Sequence, residues 1–119
     1  MIESTCHCGA VRIEVSKKPD FVTDCNCSID RRLGALWAYY KREEIKIIGH
    51  PENTDEYIWG EKTLRTVRCR SCGCTTHWEP LEIKSDSIFG VNTRNFERDV
   101  VKGIRVRHFD GADTWKFLD

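Results

Sequence analysis

A chain of 119 residues with 32% charged side chains and a formal net charge of +0 is long enough for one domain with a modest core. The even charge balance argues against a dedicated nucleic-acid or anionic-membrane binder, which carries a basic excess. The amino terminus, Met1-Ile2-Glu3-Ser4-Thr5, has neither a positively charged start nor an apolar run, so the expectation is a cytoplasmic protein without signal peptide or membrane span.

The first predicted element follows Cys6 and Cys8. Val11, Ile13 and Val15 alternate with Arg12, Glu14 and Ser16, the period of a half-buried antiparallel strand. Lys17-Lys18-Pro19-Asp20 reads as a turn, and Phe21, Thr23 and Cys25 as a second short strand. Ser28 to Gly34 is the place for a helical turn, with Ser28 as its cap and Asp30 in its first turn. Leu36 to Lys41 is extended and aromatic. Trp37, Tyr39 and Tyr40 read as a packed strand there, or alternatively as the wall of a small-molecule pocket.

Glu44 to Ile48 is a further strand, closed by Gly49-His50-Pro51. Residues 56–59, 64–69, 75–79, 87–91 and 104–109 read as short strands, punctuated by Gly60, Gly73, Pro80, Gly90 and Gly103. Arg65, Arg68 and Arg70, and later Arg105, Arg107 and His108, alternate with other residues as a solvated strand face would. An apolar tail at Trp115, Phe117 and Leu118 is expected to pack on the sheets. Strand signals recur roughly every ten residues and no helical period is sustained, so the predicted fold is mainly β. The expected architecture is a sandwich or open barrel of short antiparallel strands, in one domain over residues 1–119.

The seven cysteines fall in three tight groups: Cys6 and Cys8; Cys25 and Cys27; Cys69, Cys72 and Cys74. Such spacing brings sulfurs to one point and suits a metal better than a disulfide framework, and an odd count fits full pairing poorly. Cys6-x-Cys8-Gly9 and Cys69-x-x-Cys72-Gly73 are knuckle-like, and together they make a Cys₄ set for one structural zinc. A redox Cys-x-x-Cys sits at a helix start, whereas Cys74-Thr75-Thr76 continues as strand. Cys25, Cys27 and Asp30 hold two thiols and a carboxylate within six residues. Three donors plus an open position is the arrangement of a catalytic zinc. The alternative is an unmetallated thiol pair, with Asp30 serving the helix dipole. Cys74 reads as a small buried hydrophobe, His7 as outward-pointing, and His77 as a locally satisfied core or surface histidine.

The runs Cys6-His7-Cys8-Gly9-Ala10-Val11, Cys25-Asn26-Cys27-Ser28 and Cys69-Arg70-Ser71-Cys72-Gly73 resemble the glutathione-dependent formaldehyde-activating enzyme family, zinc proteins of the Mss4-like β fold. Partial matches at Val91-Asn92-Thr93-Arg94 and Phe109-Asp110-Gly111 extend the resemblance over nearly the whole chain. It implies a structural zinc on Cys6, Cys8, Cys69 and Cys72. The family's middle motif, Cys-x-Cys-x-x-Cys, implies a catalytic zinc on Cys25 and Cys27, but its third position here is Asp30, a harder and weaker donor than a thiolate.

The implied activity is that of a carbon–sulfur lyase on a glutathione–aldehyde adduct such as S-hydroxymethylglutathione. Glutathione would be the thiol co-substrate, with its carboxylates met by Arg31, Arg32 and Arg94. The rival reading is a non-catalytic, zinc-stabilised binding module with a single metal. A redox enzyme similar to methionine sulfoxide reductases is a further rival of the same fold. It needs a nucleophile and a resolving thiol, and Cys74 alone is left over.

Overall fold

The computed structural model describes residues 1–119. Its smaller sheet is antiparallel, in the order β1 (Ile2–Thr5), β2 (Arg12–Val15) and β5 (Ile45–Ile48). The alternation read in β2 is expressed directly: Val11, Ile13 and Val15 are buried while Arg12 is exposed. Strand β1 had no sequence signal, because only Ile2 and Ser4 turn inward from it.

The larger sheet has eight strands. They are β3 (Phe21–Cys25), β4 (Trp37–Lys41), β6 (Thr54–Ile58), β7 (Leu64–Cys69), β8 (Thr75–Pro80), β9 (Ile88–Asn92), β10 (Arg105–Asp110) and β11 (Lys116–Phe117). Their spatial order is β11-β10-β3-β4-β9-β8-β7-β6. The fold is mainly β, as the strand spacing predicted, and neither sheet closes. Two short helices, α1 (Asp30–Leu33) and α2 (Arg98–Val101), sit in connections. No helix is long and apolar enough to cross a membrane.

The core lies between the two sheets. Ile13 and Val15 of β2 meet Val22 of β3, Ala38 and Tyr40 of β4, Val91 of β9 and Phe96, with Ile45 and Ile47 of β5 packed alongside. Removing these apolar faces from water is the main force holding the layers together. The aromatic strand is therefore core rather than pocket wall at Trp37 and Tyr40, both buried.

Three expectations are corrected. The strands are not all antiparallel: β10 lies parallel to β3, from Arg105 beside Phe21 to Phe109 beside Cys25. Parallel neighbours need a long crossover, here supplied by everything between them, and side-chain alternation carries no information about strand direction. Gly90 lies inside β9, within the strand read over 87–91, where a Cβ would come within 2.0 Å of the Trp78 indole. It is glycine because the indole lies flat over it.

Ser28 does not cap α1. The residue before the helix, Ile29, already has helical dihedrals and makes no side-chain cap bond. The turn begins earlier, with Arg31 N–H donating to the Cys27 carbonyl at 3.1 Å. The apolar tail packs only in part. Phe117 lies against Phe109 and Phe21, with ring centroids 5.0 and 6.1 Å away, while Trp115 and Leu118 remain exposed.

Candidate functional site

The outer cysteines come together from both sheets. Cys6 and Cys8 lie in the connection between β1 and β2; Cys69 ends β7, and Cys72 lies in the turn to β8. Each knuckle turns on a glycine in the left-handed region, Gly9 at φ 83° and Gly73 at φ 77°, where other residues are disfavoured. Gly9 N–H donates to the Cys6 carbonyl at 3.2 Å and Gly73 N–H to the Cys69 carbonyl at 2.9 Å. The Val11 amide donates to Cys6 Sγ at 3.3 Å, an orientation that would stabilise thiolate charge.

Cys6 Sγ lies 3.8 Å from Cys8 Sγ, and Cys8 Sγ 3.6 Å from Cys69 Sγ. All four sulfurs lie within 4.8 Å of one another. Thiolates at about 2.3 Å from a tetrahedral zinc stand about 3.8 Å apart, so this donor set fits the ion. Cys74 is half-buried against Cys6, Val11 and Cys69, in keeping with the small apolar role expected of it. His7 is exposed.

The middle group is assembled from two elements. Cys25 ends β3, Cys27 follows it, and Asp30 opens α1. Their ligand atoms lie within 4.8 Å of one another, so the carboxylate stands where a third donor is needed. Burial, with Cys27 and Asp30 nearby, pushes the Cys25 thiol up to about 12. Burial and the Asp30 carboxylate raise Cys27 as well. Burial thus favours the neutral thiol at both positions. A cation that displaces those protons would turn the group into an anionic donor set.

A loop from the carboxyl-terminal side covers this group. Asn26, between the two cysteines, donates from Nδ2 to Asp110 Oδ1 at 3.0 Å and accepts the Ala112 amide on Oδ1 at 3.0 Å. Thr114 donates to Asp110 Oδ2 from its amide at 3.1 Å and its hydroxyl at 2.9 Å. These bonds lower the Asp110 pKa, the Asn26 bond most. They press Gly111 so close that a Cβ there would lie 2.8 Å from Cys25 Sγ and 3.1 Å from Cys27 Cβ.

Cys27 also lines a cavity of about 410 Å³, together with Asn26, Arg31, Trp59, Gly111 and Trp115. Trp59 and Trp115 are the aromatic walls, in place of the Trp37-to-Tyr40 strand. Of the three arginines, Arg31 alone faces this cavity. Arg32 Nη1 donates to the Ser28 carbonyl at 2.7 Å and Arg94 Nε to the Gly34 carbonyl at 3.1 Å. Those two arginines therefore brace the start and end of α1, the helix that carries Asp30.

Sequence reasoning missed Asp110, Gly111, Trp59 and a third cluster, His50, His77 and Glu79. The available signal for that cluster was His77-x-Glu79 in β8, a spacing that puts both side chains on one face of a strand. His77 itself is a core histidine, fully buried, one of the two placements its sequence allowed.

A mainly β chain that draws Cys6, Cys8, Cys69 and Cys72 to one point, and Cys25, Cys27 and Asp30 to another, has the donor sets of a metal-binding domain built on cysteine knuckles. Residues 1–106 match the model of the family described as glutathione-dependent formaldehyde-activating enzyme, and the chain belongs to that family. It is also similar to the crystal structure of a Rhodobacter sphaeroides protein. The identity is 31%, over 88% of this chain and 99% of that one, with a TM-score of 0.70.

Proposed function

We propose that the chain is a zinc-dependent carbon–sulfur lyase of the glutathione–formaldehyde type, working at Cys25, Cys27 and Asp30. The observation that carries this reading is that Cys27 belongs both to the donor triad and to the wall of a cavity holding a cation, Arg31, and two indoles, Trp59 and Trp115. A cavity of about 410 Å³ is within the range of small-molecule sites.

In the adduct-forming direction the thiol sulfur of glutathione bonds to the carbonyl carbon of formaldehyde. The sulfur lone pair makes the new bond, the C=O π bond opens, and the proton lost from the thiol ends on the former carbonyl oxygen, with no net oxidation or reduction. Zinc held by the triad would supply positive charge and lower the pKa of a thiol beside it. The chain's own residues do the rest. Arg31 meets a glutathione carboxylate, Trp59 and Trp115 wall the peptide, and the Asp110–Asn26 clamp holds Gly111 down over Cys25, leaving Cys27 open to the cavity. Arg32 and Arg94 act at one remove by fixing α1. The other zinc, on Cys6, Cys8, Cys69 and Cys72, is structural.

The test is to follow adduct formation from glutathione and formaldehyde by NMR alongside the metal content of each variant. Cys27→Ser should lose one zinc per chain and the rate acceleration while staying folded. Arg31→Ala should raise KM for glutathione roughly tenfold, the scale of one charged hydrogen bond, with the formaldehyde dependence unchanged. A wild-type protein that gives no acceleration, with zinc content unchanged in Cys25→Ser/Cys27→Ser, would establish the single-zinc binding module instead.

A further inference from the structure

Glu79 is buried in β8, yet its Oε1 receives two imidazoles. His50 Nε2 lies 2.8 Å away and His77 Nε2 2.6 Å away. The other nitrogen of each ring meets a threonine hydroxyl: His50 Nδ1 lies 2.7 Å from Thr54 Oγ1, and His77 Nδ1 2.9 Å from Thr76 Oγ1. A hydroxyl has one proton to give. Thr54 is placed to give it to the Pro51 carbonyl at 3.2 Å and Thr76 to the Val67 carbonyl at 3.3 Å. In that arrangement both hydroxyls accept from Nδ1–H and each neutral ring turns a lone pair at Nε2 toward Glu79; in the other tautomer the hydroxyls donate to Nδ1 and both rings donate Nε2–H to the carboxylate. Two ring nitrogens and a carboxylate oxygen thus converge on one point, all within 4.8 Å of one another.

We infer that His50, His77 and Glu79 form a further metal site, a His₂Glu set for a divalent ion of the zinc class. The set matches one of the three-donor arrangements that zinc accepts. The threonine hydroxyls can accept from Nδ1–H when Nε2 holds the ion, the place that second-layer partners of metal-bound histidines take. The fourth position has somewhere to face, because His50 and Glu79 also line a cavity of about 440 Å³ with Arg42, Arg65, Ile83 and Phe89. Arg65 in that wall is partly neutralised by Glu56, with its Nη1 2.7 Å from Oε2. Ligands about 2.0–2.1 Å from a tetrahedral zinc stand about 3.3 Å apart, so entry of the ion opens the present contacts by roughly 0.5–0.7 Å. His50, in the connection between β5 and β6 and only half-buried, is the side chain able to give way.

This inference does not depend on the activity proposed above. The test uses the full chain with its cysteine sites filled, titrated with Zn²⁺ while long-range ¹H–¹⁵N spectra follow the imidazole nitrogens. The Nε2 resonances of His50 and His77 should shift at one added equivalent while Nδ1 stays protonated. Elemental analysis should find one zinc fewer per chain in His50→Gln than in the wild type. Glutamine offers Glu79 an amide donor in place of the ring, so the loss would be of the ion and not of the fold. Rings that hold their Nε2 protons through excess Zn²⁺ would show a hydrogen-bonded His–Glu–His cluster and overturn the site, as would equal zinc in His50→Gln. If that variant does not fold, the wild-type ring spectra decide alone.

Discussion

Asp110 carries the arrangement over the middle cysteines on two oxygens. One takes the Asn26 amide across 84 residues of sequence separation, and the other takes both donors of Thr114. Hydrogen bonds to a carboxylate favour its charged form, so its pKa falls below the ordinary 3.8. The sign follows from linkage. A depressed acid stabilises the folded loop at all pH values above its unfolded pKa, and that contribution disappears as pH falls through the folded value. The Thr114 amide resonance should therefore titrate with a midpoint below 3.8, and Asp110→Asn should abolish the titration. A midpoint at or above 3.8 would mean that the clamp is not formed in solution. In the sequence Phe109-Asp110-Gly111 stood only as a partial family match, with no sign of this role. Its meaning lies in a contact with Asn26 that no local pattern encodes. The three cysteine groups were legible for the opposite reason, since each is built from sequence neighbours, the outer two with a glycine after the pair.

At the scale of elements, the strands whose alternation is strongest were the ones read correctly. Val11, Ile13 and Val15 foretold β2 because one face of it is core and the other solvent. Strand β1 was missed because four residues with one apolar side chain make no pattern. Gly90 fell inside a strand read over 87–91, but its reason did not show, because glycine in a sequence signals a break or a close approach with equal force. The structure decides for close approach. Trp78 lies across Gly90 and reaches Tyr39 of β4, ring centroids 6.2 Å apart. In this way β8, β9 and β4 share one aromatic cover, and β8 also carries His77 and Glu79. Gly90→Ala must displace the indole and should cost about 1–3 kcal/mol, the usual penalty for overpacking. Urea denaturation would show it as a lowered midpoint at unchanged slope. Wild-type stability would mean that the Trp78 ring does not lie there.

For the molecule as a whole, the outer cysteines matter through what they join. Cys6 and Cys8 belong to the small sheet's connection, and Cys69 and Cys72 to the β7–β8 turn of the large sheet. Outside the packed core, few bonds tie the layers at this end; one is Asn53 Nδ2 to the Ala10 carbonyl at 3.2 Å. A structural zinc contributes on the order of 10 kcal/mol or more to folding, against a net stability of about 5–15 kcal/mol for a domain. The middle group offers no such leverage. Cys25, Cys27 and Asp30 sit within six residues, and an ion there closes only a short loop. The two cysteine centres should therefore differ sharply in their effect on the fold. Cys69→Ser should remove the cooperative thermal transition of the full chain, while Cys27→Ser should keep it within a few degrees of the wild type. Thermal melts followed by near-ultraviolet circular dichroism, run with zinc and again with a strong chelator, separate the outcomes. A Cys69→Ser protein that melts like its parent would mean that the core alone holds the sheets together, and the Cys₄ centre would lose its structural role.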